Sequence, residues 1–137
     1  MIEYSRIRSH VERKREIRKS ESYLESMRKL IEALRASGNT SDAENIQREA
    51  DLMQKDIEYS KTHMPLSDDE INELANAGRK IAYRCIIRLK LRGDYSVEEM
   101  GALIGRTGEA AFGMYKRALE STGLVSGLEN AKEDDDL

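Results

Sequence analysis

A run of basic residues in the second half of the chain has a spacing suited to phosphate binding. Residues 75–92 contain no acid and six bases, at Arg79, Lys80, Arg84, Arg88, Lys90 and Arg92. Four of them, Lys80, Arg84, Arg88 and Arg92, recur at every fourth residue, so a helix would carry them on one side. Such a stripe can follow the phosphates of DNA, or equally those of RNA. The alternative is a solvated face whose charges are paired with acids of the N-terminal helices.

Residues 96–119 predict a second functional element, a helix-turn-helix. Gly101 is the small residue needed where two such helices cross, and Gly105 can adopt the positive φ of the turn. We expect the first helix to bury Val97, Met100, Leu103 and Ile104. We expect the second helix to bury Ala111, Met114, Tyr115, Ala118 and Leu119, and to present Gly108, Glu109, Phe112, Gly113, Lys116 and Arg117 outward.

The residues of this element resemble a known class of DNA-binding domain. The segments Arg88-Leu89-Lys90-Leu91, Tyr95–Gly105 and Tyr115-Lys116-Arg117-Ala118-Leu119 resemble the fourth region of sigma factors. With a helical hairpin ahead of it, the layout is similar to that of the ArpU/RinA-like phage late-transcription regulators. The resemblance implies a DNA-binding transcriptional regulator of phage or mobile-element type. Its partners would be double-stranded DNA and RNA polymerase.

The candidate DNA-binding residues come from both elements. They are Arg84, Arg88 and Arg92 for the flanking phosphates, Arg106 and Thr107 at the start of the recognition helix, and Phe112, Lys116 and Arg117 along it. Thr107 is expected to cap this helix, and Phe112 to contact a thymine methyl group.

A second hypothesis stays open because the last helix contains neither Asn nor Gln, which commonly contact bases. In this hypothesis the chain is a helical protein-interaction module, such as a phage inhibitor of a host complex. Phe112, Glu109 and the hairpin would then bind a protein, and the helix-turn-helix would be degenerate.

Residues with catalytic or metal-binding chemistry are present, but their spacing favours structural roles. His10 and His63 are far apart and are expected at the surface, and Cys85 is expected to be a small buried packing residue. The acidic clusters at Asp68–Glu70 and Glu98–Glu99 open helices, where acids interact favourably with the helix dipole. The sequence therefore predicts no enzyme, no cofactor and no metal site.

The N-terminal half is predicted to form an antiparallel coiled-coil hairpin. The first helix runs from Tyr4 to Ala36, and the second opens with a capping box at Ser41. Apolar residues at three- and four-residue steps predict a seam that pairs Leu24, Met27, Ile31 and Leu34 with Ile46, Ala50, Met53 and Ile57. We expect this hairpin to mediate homo-oligomerisation or partner contact.

The composition is typical of an all-α protein, since 36% of residues are charged and 5% are aromatic, and no alternating β pattern occurs. No apolar run is long enough to span a membrane and the N-terminus has no apolar signal core, which favours the cytoplasm. A single third helix is expected after the capping box at Ser67 and up to Gly93. Its inward stripe is expected to hold Ile71, Leu74, Gly78, Ile81, Cys85 and Leu89, widened by Ala82 and Ile86. The expected domains are the hairpin in 1–64, the helix-turn-helix domain in 65–124 and a disordered acidic tail in 125–137.

Overall fold

The computed structural model describes residues 1–132, and this part of the chain is mostly helical, which confirms the expected fold class at that level. Its elements are β1 (Ile2–Glu3), α1 (Tyr4–Ala36), α2 (Thr40–Thr62), α3 (Asp68–Ala77), α4 (Ile81–Leu91), α5 (Val97–Ile104), α6 (Gly108–Thr122), β2 (Val125–Ser126) and a 3-10 turn (Leu128–Asn130). Among these described helices, none combines the length and apolar character that crossing a membrane requires.

The chain divides into two compact units. Arg13–Met64 form one unit, which we call the hairpin unit; Met1–Glu12 and the chain from Pro65 onward form the other, which we call the C-terminal unit. The two units divide between Met64 and Pro65, and the first twelve residues belong with the C-terminal helices rather than with the hairpin.

The N-terminal residues join the C-terminal unit because their apolar side chains are buried in its core. Ile2, Tyr4 and Ile7 belong to the same buried cluster as the inward residues of α3 to α6. The backbone reinforces this packing, since β1 pairs in parallel with β2 and the Ile2 N–H donates to the Leu124 carbonyl at 2.8 Å.

The segment expected to be a disordered tail is structured from residue 125 to residue 132. β2 pairs with β1, and Leu128 and Ala131 are buried in the C-terminal unit. The burial of these apolar residues outweighs the Gly- and Ser-rich composition that suggested disorder. The acidic run at residues 133–137 lies outside the described residues.

In the hairpin unit, α1 and α2 share one apolar cluster. Its fully buried members are Leu24, Met27, Ile31, Ala43, Ala50 and Ile57, with Ile17, Leu34, Ile46 and Met53 packed against them. Two contacts between side chains link the helices, Arg28 Nη2 to Gln54 Oε1 at 2.9 Å and Lys61 Nζ to Glu21 Oε1 at 3.3 Å. From the first contact to the second, the residue on α1 changes from 28 to 21 and the residue on α2 changes from 54 to 61. The two helices therefore run in opposite directions.

The start of α2 differs from the expected capping box at Ser41. The helix begins at Thr40 with Asn39 as its N-cap, and the N-cap side chain makes no capping hydrogen bond. The Ala43 N–H already donates to the Asn39 carbonyl at 3.1 Å. Ser41 therefore lies inside the first turn, where its hydroxyl is not the cap.

The expected third helix is two helices, broken at Gly78. α3 ends at Ala77, and Gly78 takes an extended conformation with φ −60° and ψ 133°. The Gly78 carbonyl accepts a hydrogen bond from Arg84 Nε at 2.8 Å instead of a helical N–H. The side-chain contact thus replaces the backbone bond that would have continued the helix.

The break changes which face of α4 is buried. Ile86, Ile87, Lys90 and Leu91 are the buried residues of α4, whereas Ile81 is 77% exposed. Cys85 is exposed as well, so its expected role as a buried packing residue was wrong. The helical phase was extrapolated through Gly78, and α4 does not keep the phase of α3.

Candidate nucleic-acid interface

The α5–α6 turn is held by close backbone contacts. Gly105 has φ +68° and ψ +34°, a left-handed conformation that suits glycine. The Arg106 N–H donates to the Gly101 carbonyl at 2.7 Å. A Cβ on Gly101 would lie 2.6 Å from the Arg106 carbonyl oxygen and 2.8 Å from that of Thr107. A side chain at position 101 would force the turn backbone to shift, in line with the small residue that the sequence indicated where the two helices cross.

Local capping fixes where the helices of this unit begin. Ser67 and Ser96 both form complete capping boxes, with Glu70 and Glu99 respectively. Thr107 caps α6, because its Oγ1 accepts a hydrogen bond from the Ala110 N–H at 3.1 Å. These caps were predicted from the sequence, and the structure confirms them.

Phe112, expected on the outward face of α6, is buried with 8% of its surface exposed. It packs in the core in an edge-on arrangement with Tyr115, with ring centroids 6.4 Å apart. The physical reason is that α6 packs against α3, α4 and α5, so its buried arc is wider than one apolar stripe. Phe112 is therefore available neither to a thymine methyl group nor to a partner's pocket.

The surface of α6 is small and mixed in charge. Glu109, Arg117 and Glu120 are exposed, while Gly113 and Lys116 are half-buried. A Cβ built on Gly113 would meet only Arg117 Nη1, at 3.4 Å, among the atoms beyond its own helix backbone. On this face the backbone of α6 is therefore uncovered at Gly113, next to the guanidinium of Arg117.

Three arginines of α4 and its C-terminal end are held against α3. Arg84 Nε donates to the Gly78 carbonyl at 2.8 Å, Arg88 Nη2 donates to Asn76 Oδ1 at 2.7 Å, and Arg92 Nη2 donates to Asn72 Oδ1. We call this set the arginine ladder. The acceptors of Arg84 and Arg88 are neutral, so they orient these two guanidinium groups without cancelling their charge. A guanidinium has five N–H donors, and Arg84 and Arg88 each keep others that can reach an anion.

The remaining bases of residues 75–92 do not extend this ladder. Lys90 is buried, and its Nζ donates to the Tyr95 carbonyl at 3.1 Å. Lys80 precedes α4, and its Nζ lies over the Tyr83 ring at 5.3 Å. The expected stripe at every fourth residue is thus reduced from four members to three.

A hydrogen bond links the segment just before α4 to the end of α6. The Arg79 N–H donates to Ser121 Oγ at 3.3 Å. The arginine ladder and α6, with Lys116 and Arg117, are therefore parts of one packed unit. Arg106 is exposed at the turn ahead of α6.

His10, which the sequence placed at the surface, is buried in the C-terminal unit and forms hydrogen bonds there. His10 is 3% exposed; its Nδ1 accepts from the Leu66 N–H at 3.2 Å, and its Nε2 lies 3.1 Å from the Leu91 carbonyl oxygen. Since Nδ1 is the acceptor, Nε2 carries the proton and donates to Leu91. The sequence gave no signal for this role, because the burial of His10 depends on α1 packing against residues more than 50 positions away.

Two ionisable groups in the C-terminal unit have displaced pKa values. Burial raises the pKa of the Tyr115 phenol well above its usual range, and the nearby Tyr4 adds to this effect. The Tyr115 hydroxyl meets no hydrogen-bond partner among residues 1–132. The Ser67 N–H, followed by the Arg6 guanidinium, holds the pKa of Glu70 below its usual value against the opposing effect of burial.

The last turn of α5 exposes two large apolar side chains. Leu103 is 60% exposed and Ile104 is 39% exposed, although the sequence placed both inward. The buried residues of α5 are Val97, Met100 and Gly101, all in its first five positions. Within residues 1–132, no group of His, Cys, Asp and Glu side chains is arranged to hold a metal ion.

None of the comparisons with models of protein families, curated proteins and solved structures gives a match to this chain. The resemblance to sigma-factor region four and to the ArpU/RinA-like regulators stays a prediction, carried by the residues quoted above.

Proposed function

We propose that this chain is a DNA-binding transcriptional regulator of phage or mobile-element type, with α5, the Gly105 turn and α6 as a sigma-like helix-turn-helix. The observation that carries the proposal is the orientation of Arg84 and Arg88, two members of the arginine ladder, by neutral acceptors in the unit that contains this turn. A charged group that is oriented but not neutralised is suited to a polyanionic ligand. In this proposal α1 and α2 form an antiparallel hairpin that contacts RNA polymerase or another copy of the chain, in the cytoplasm of a bacterial host.

Most of the affinity in this proposal comes from phosphate contacts. Arg84, Arg88 and Arg92 bind phosphates of double-stranded DNA, and their neutralisation releases counterions. Arg106 and the exposed N-cap Thr107 contact the backbone at the start of α6. These contacts position the protein and carry no sequence information.

Base contacts fall to the exposed side of α6. Arg117, and Lys116 beside it, can donate to guanine, and Glu109 can accept from the cytosine amino group. Gly113 allows the helix backbone to come close to the edge of the groove. Because Glu109 and Glu120 repel phosphate, α6 contributes selectivity and the arginine ladder contributes affinity.

The test is the binding of a fluorescent duplex of about 30 base pairs, measured by anisotropy over a salt series. Replacing both Arg84 and Arg88 with Gln should reduce the slope of log affinity against log salt by about two, since each phosphate contact contributes about 0.9. The matched control replaces Arg48 and Lys55 with Gln, because both are exposed bases of the hairpin unit. Equal slopes for the two variants would contradict the proposal.

The alternative function, a protein-interaction module, has lost its expected anchor, since Phe112 is buried. A different observation favours it, namely the exposed pair Leu103 and Ile104 on α5. Replacing both with Ser should abolish a protein complex and leave duplex binding unchanged if this alternative holds. Replacing Lys116 and Arg117 with Ala should weaken duplex binding by about 1–3 kcal/mol if the DNA-binding proposal holds.

A further inference from the structure

A crevice lies between α1 and α2 on the surface of the hairpin unit. It has a volume of about 370 Å³, and all of its lining residues belong to that unit. The lining comes from residues 13–20 of α1 and residues 49–60 of α2. On α2 the lining positions recur at steps of three and four residues, so they form one face of three helical turns, about 16 Å long. A groove of this length between two helices is suited to a third helix.

The floor of the crevice is apolar. Ile17 and Met53 belong to the apolar cluster of the hairpin but remain half-buried, and Ile57 is buried beside them. Leu52 lines the crevice as well, and 63% of its surface is exposed. The crevice is therefore an apolar surface that α1 and α2 leave partly uncovered.

Acidic side chains lie around this apolar floor. Glu16 of α1 and Glu49 and Asp56 of α2 line the crevice, and all three are exposed. Arg13 is the one base that the described residues contribute to the lining, and its Nη1 donates to the His63 carbonyl at 3.3 Å. The field within the crevice is consequently negative.

The charges of these acids are not neutralised by other described residues. Among residues 1–132, the structure gives Glu16, Glu49 and Asp56 no ion pair. Arg48 and Lys55 each precede one of the two α2 acids in the chain. They point about 100° away from it around the helix and do not line the crevice. The three carboxylates are therefore available to bases of another molecule.

We propose that this crevice binds a basic amphipathic helix of a partner protein, which forms a three-helix bundle with α1 and α2. The apolar face of the partner helix packs on Ile17, Leu52 and Met53. Its Lys or Arg side chains pair with Glu49 and Asp56, which are seven residues apart on α2, about 10 Å along the helix axis. The partner helix therefore carries two bases at a similar spacing. This proposal specifies the partner contact that the proposed function gives to the hairpin, and it does not require DNA binding by the C-terminal unit.

The charge of the lining distinguishes this occupant from two others. The acids repel a phosphate backbone, so the crevice does not extend the nucleic-acid interface. A second copy that placed the same crevice against this one would bring Glu49 and Asp56 of both copies together, and like charges across an interface lower affinity. A basic amphipathic helix matches both parts of the lining, because it presents apolar and positively charged side chains on adjoining faces.

The test uses the full chain and a fluorescein-labelled synthetic helix of about 15 residues, with Leu at positions i, i+3, i+4 and i+7 and two Lys seven residues apart. A second peptide has Glu in place of the two Lys. Anisotropy should show that the lysine peptide binds about tenfold more tightly than the glutamate peptide, since several exposed ion pairs separate the two. Equal binding of the two peptides, or no binding of either, would overturn the proposal.

Charge reversal in the crevice locates the binding site. Glu49→Lys combined with Asp56→Lys should reverse the preference, so that the glutamate peptide binds more tightly. The matched control is Glu44→Lys combined with Asp51→Lys, because these acids are exposed and have the same spacing but lie about 140° away around α2. The control should keep the preference of the unaltered chain. New binding of the glutamate peptide cannot come from unfolding, and the same preference in both variants would exclude the crevice as the site.

The apolar contact has its own variants. Leu52→Ser should weaken binding of the lysine peptide several-fold, whereas Leu30→Ser, at an exposed residue outside the crevice, should not. Equal binding by these two variants would mean that charge alone attracts the peptide, which would overturn the proposal. Light scattering tests the other occupant: a doubled mass of the unaltered chain that Leu52→Ser reduces to 15.6 kDa would assign the crevice to a second copy. Duplex DNA binding should be unchanged in Leu52→Ser, so a failure of peptide binding is distinguishable from a failure of the proposed DNA-binding function.

Discussion

Arg88 is held by an uncharged partner: its Nη2 lies 2.7 Å from the Oδ1 atom of Asn76 on the neighbouring helix. An aspartate has the same shape at this position and would make the same hydrogen bond, but it would also form an ion pair. The amide therefore sets the direction of the guanidinium and leaves its charge available to an outside anion. The same relation holds between Arg84 and the Gly78 carbonyl.

The first prediction follows from this pair. Asn76→Asp should keep the geometry of Arg88 but neutralise it, so duplex DNA binding should weaken several-fold and the salt slope should fall by about one phosphate contact. Fluorescence anisotropy at 50–200 mM salt measures both quantities. Asn45→Asp is the control, because Asn45 is exposed in the hairpin unit and the net charge changes equally. Identical binding by the two variants would show that Arg88 does not contact phosphate.

The second prediction concerns the buried imidazole of His10. His10→Ala removes the hydrogen bonds to Leu66 and Leu91 and leaves a cavity, so the free energy of unfolding should fall by about 2–4 kcal/mol. His10→Gln can still donate to the Leu91 carbonyl and should lie between the two. Urea unfolding followed by circular dichroism measures these differences. A loss below about 0.5 kcal/mol for His10→Ala would mean that the imidazole does not join these elements.

The third prediction concerns the unpartnered hydroxyl of Tyr115. A buried donor without a partner costs about 1–3 kcal/mol, so Tyr115→Phe should leave the free energy of unfolding unchanged or raise it by about 1 kcal/mol. Tyr95→Phe, at a residue that is 38% exposed, is the control and should have no effect. A loss of stability for Tyr115→Phe would reveal a hydrogen-bond partner for this hydroxyl.

The features that the sequence predicted correctly are those decided within a few residues. Ser67, Ser96 and Thr107 cap their helices through hydrogen bonds to amides three positions ahead. Gly101 and Gly105 form their turn with their immediate neighbours. In such cases the residue types and their spacing determine the local structure, and tertiary packing changes it little.

The features that it missed depend on contacts between distant parts of the chain. The helix break at Gly78 was missed because a glycine in a helix costs only about 1 kcal/mol, and the break is stabilised by the Arg84 side chain. Phe112 was placed outward because a single stripe was assumed for a helix that three others contact. The ends of the chain were misassigned because β1 and β2 are each only two residues long and gain stability only by pairing with each other.

The candidate site shows the same division. The sequence pointed to Arg84, Arg88 and Arg92 by charge and spacing, and the structure places all three along α3 and α4. The sequence did not indicate that Asn72 and Asn76 orient two of these arginines. Asparagines on a polar helix face are typical of solvated surfaces, so the role of Asn72 and Asn76 appears only when both helices are in place.

The fourth prediction is a pH dependence of stability. The lowered pKa of Glu70 means that its charged form is favoured by folding, through the Ser67 N–H and Arg6. This stabilisation is present above the ordinary pKa of a glutamate and is lost as the pH falls through the lowered value. Glu70→Gln should therefore lower the melting temperature at pH 7 and have a diminishing effect as the pH falls below about 4. A difference that stays constant from pH 7 to pH 3 would contradict this origin.

The fifth prediction uses Gly101 of α5 and Gly113 of α6, which differ in their surroundings. Gly101→Ala places a Cβ 2.6 Å from the Arg106 carbonyl oxygen, so the backbone must shift and stability should fall by about 1–3 kcal/mol. Gly113→Ala has only the flexible end of Arg117 within reach, at 3.4 Å, and should raise stability by about 0.5–1 kcal/mol because alanine favours the helix. Thermal unfolding measures both changes.

Duplex binding by the same two variants tests whether α6 approaches DNA. Gly101→Ala should weaken binding because it disturbs the turn that positions α6. If α6 lies in a groove, Gly113→Ala should weaken binding as well, although the protein is more stable, because the added methyl group lies on the face that contacts the bases. Weaker binding in a stabilised variant cannot come from unfolding. Unchanged binding by Gly113→Ala would remove α6 from the interface and leave the arginine ladder as a site for any polyanion.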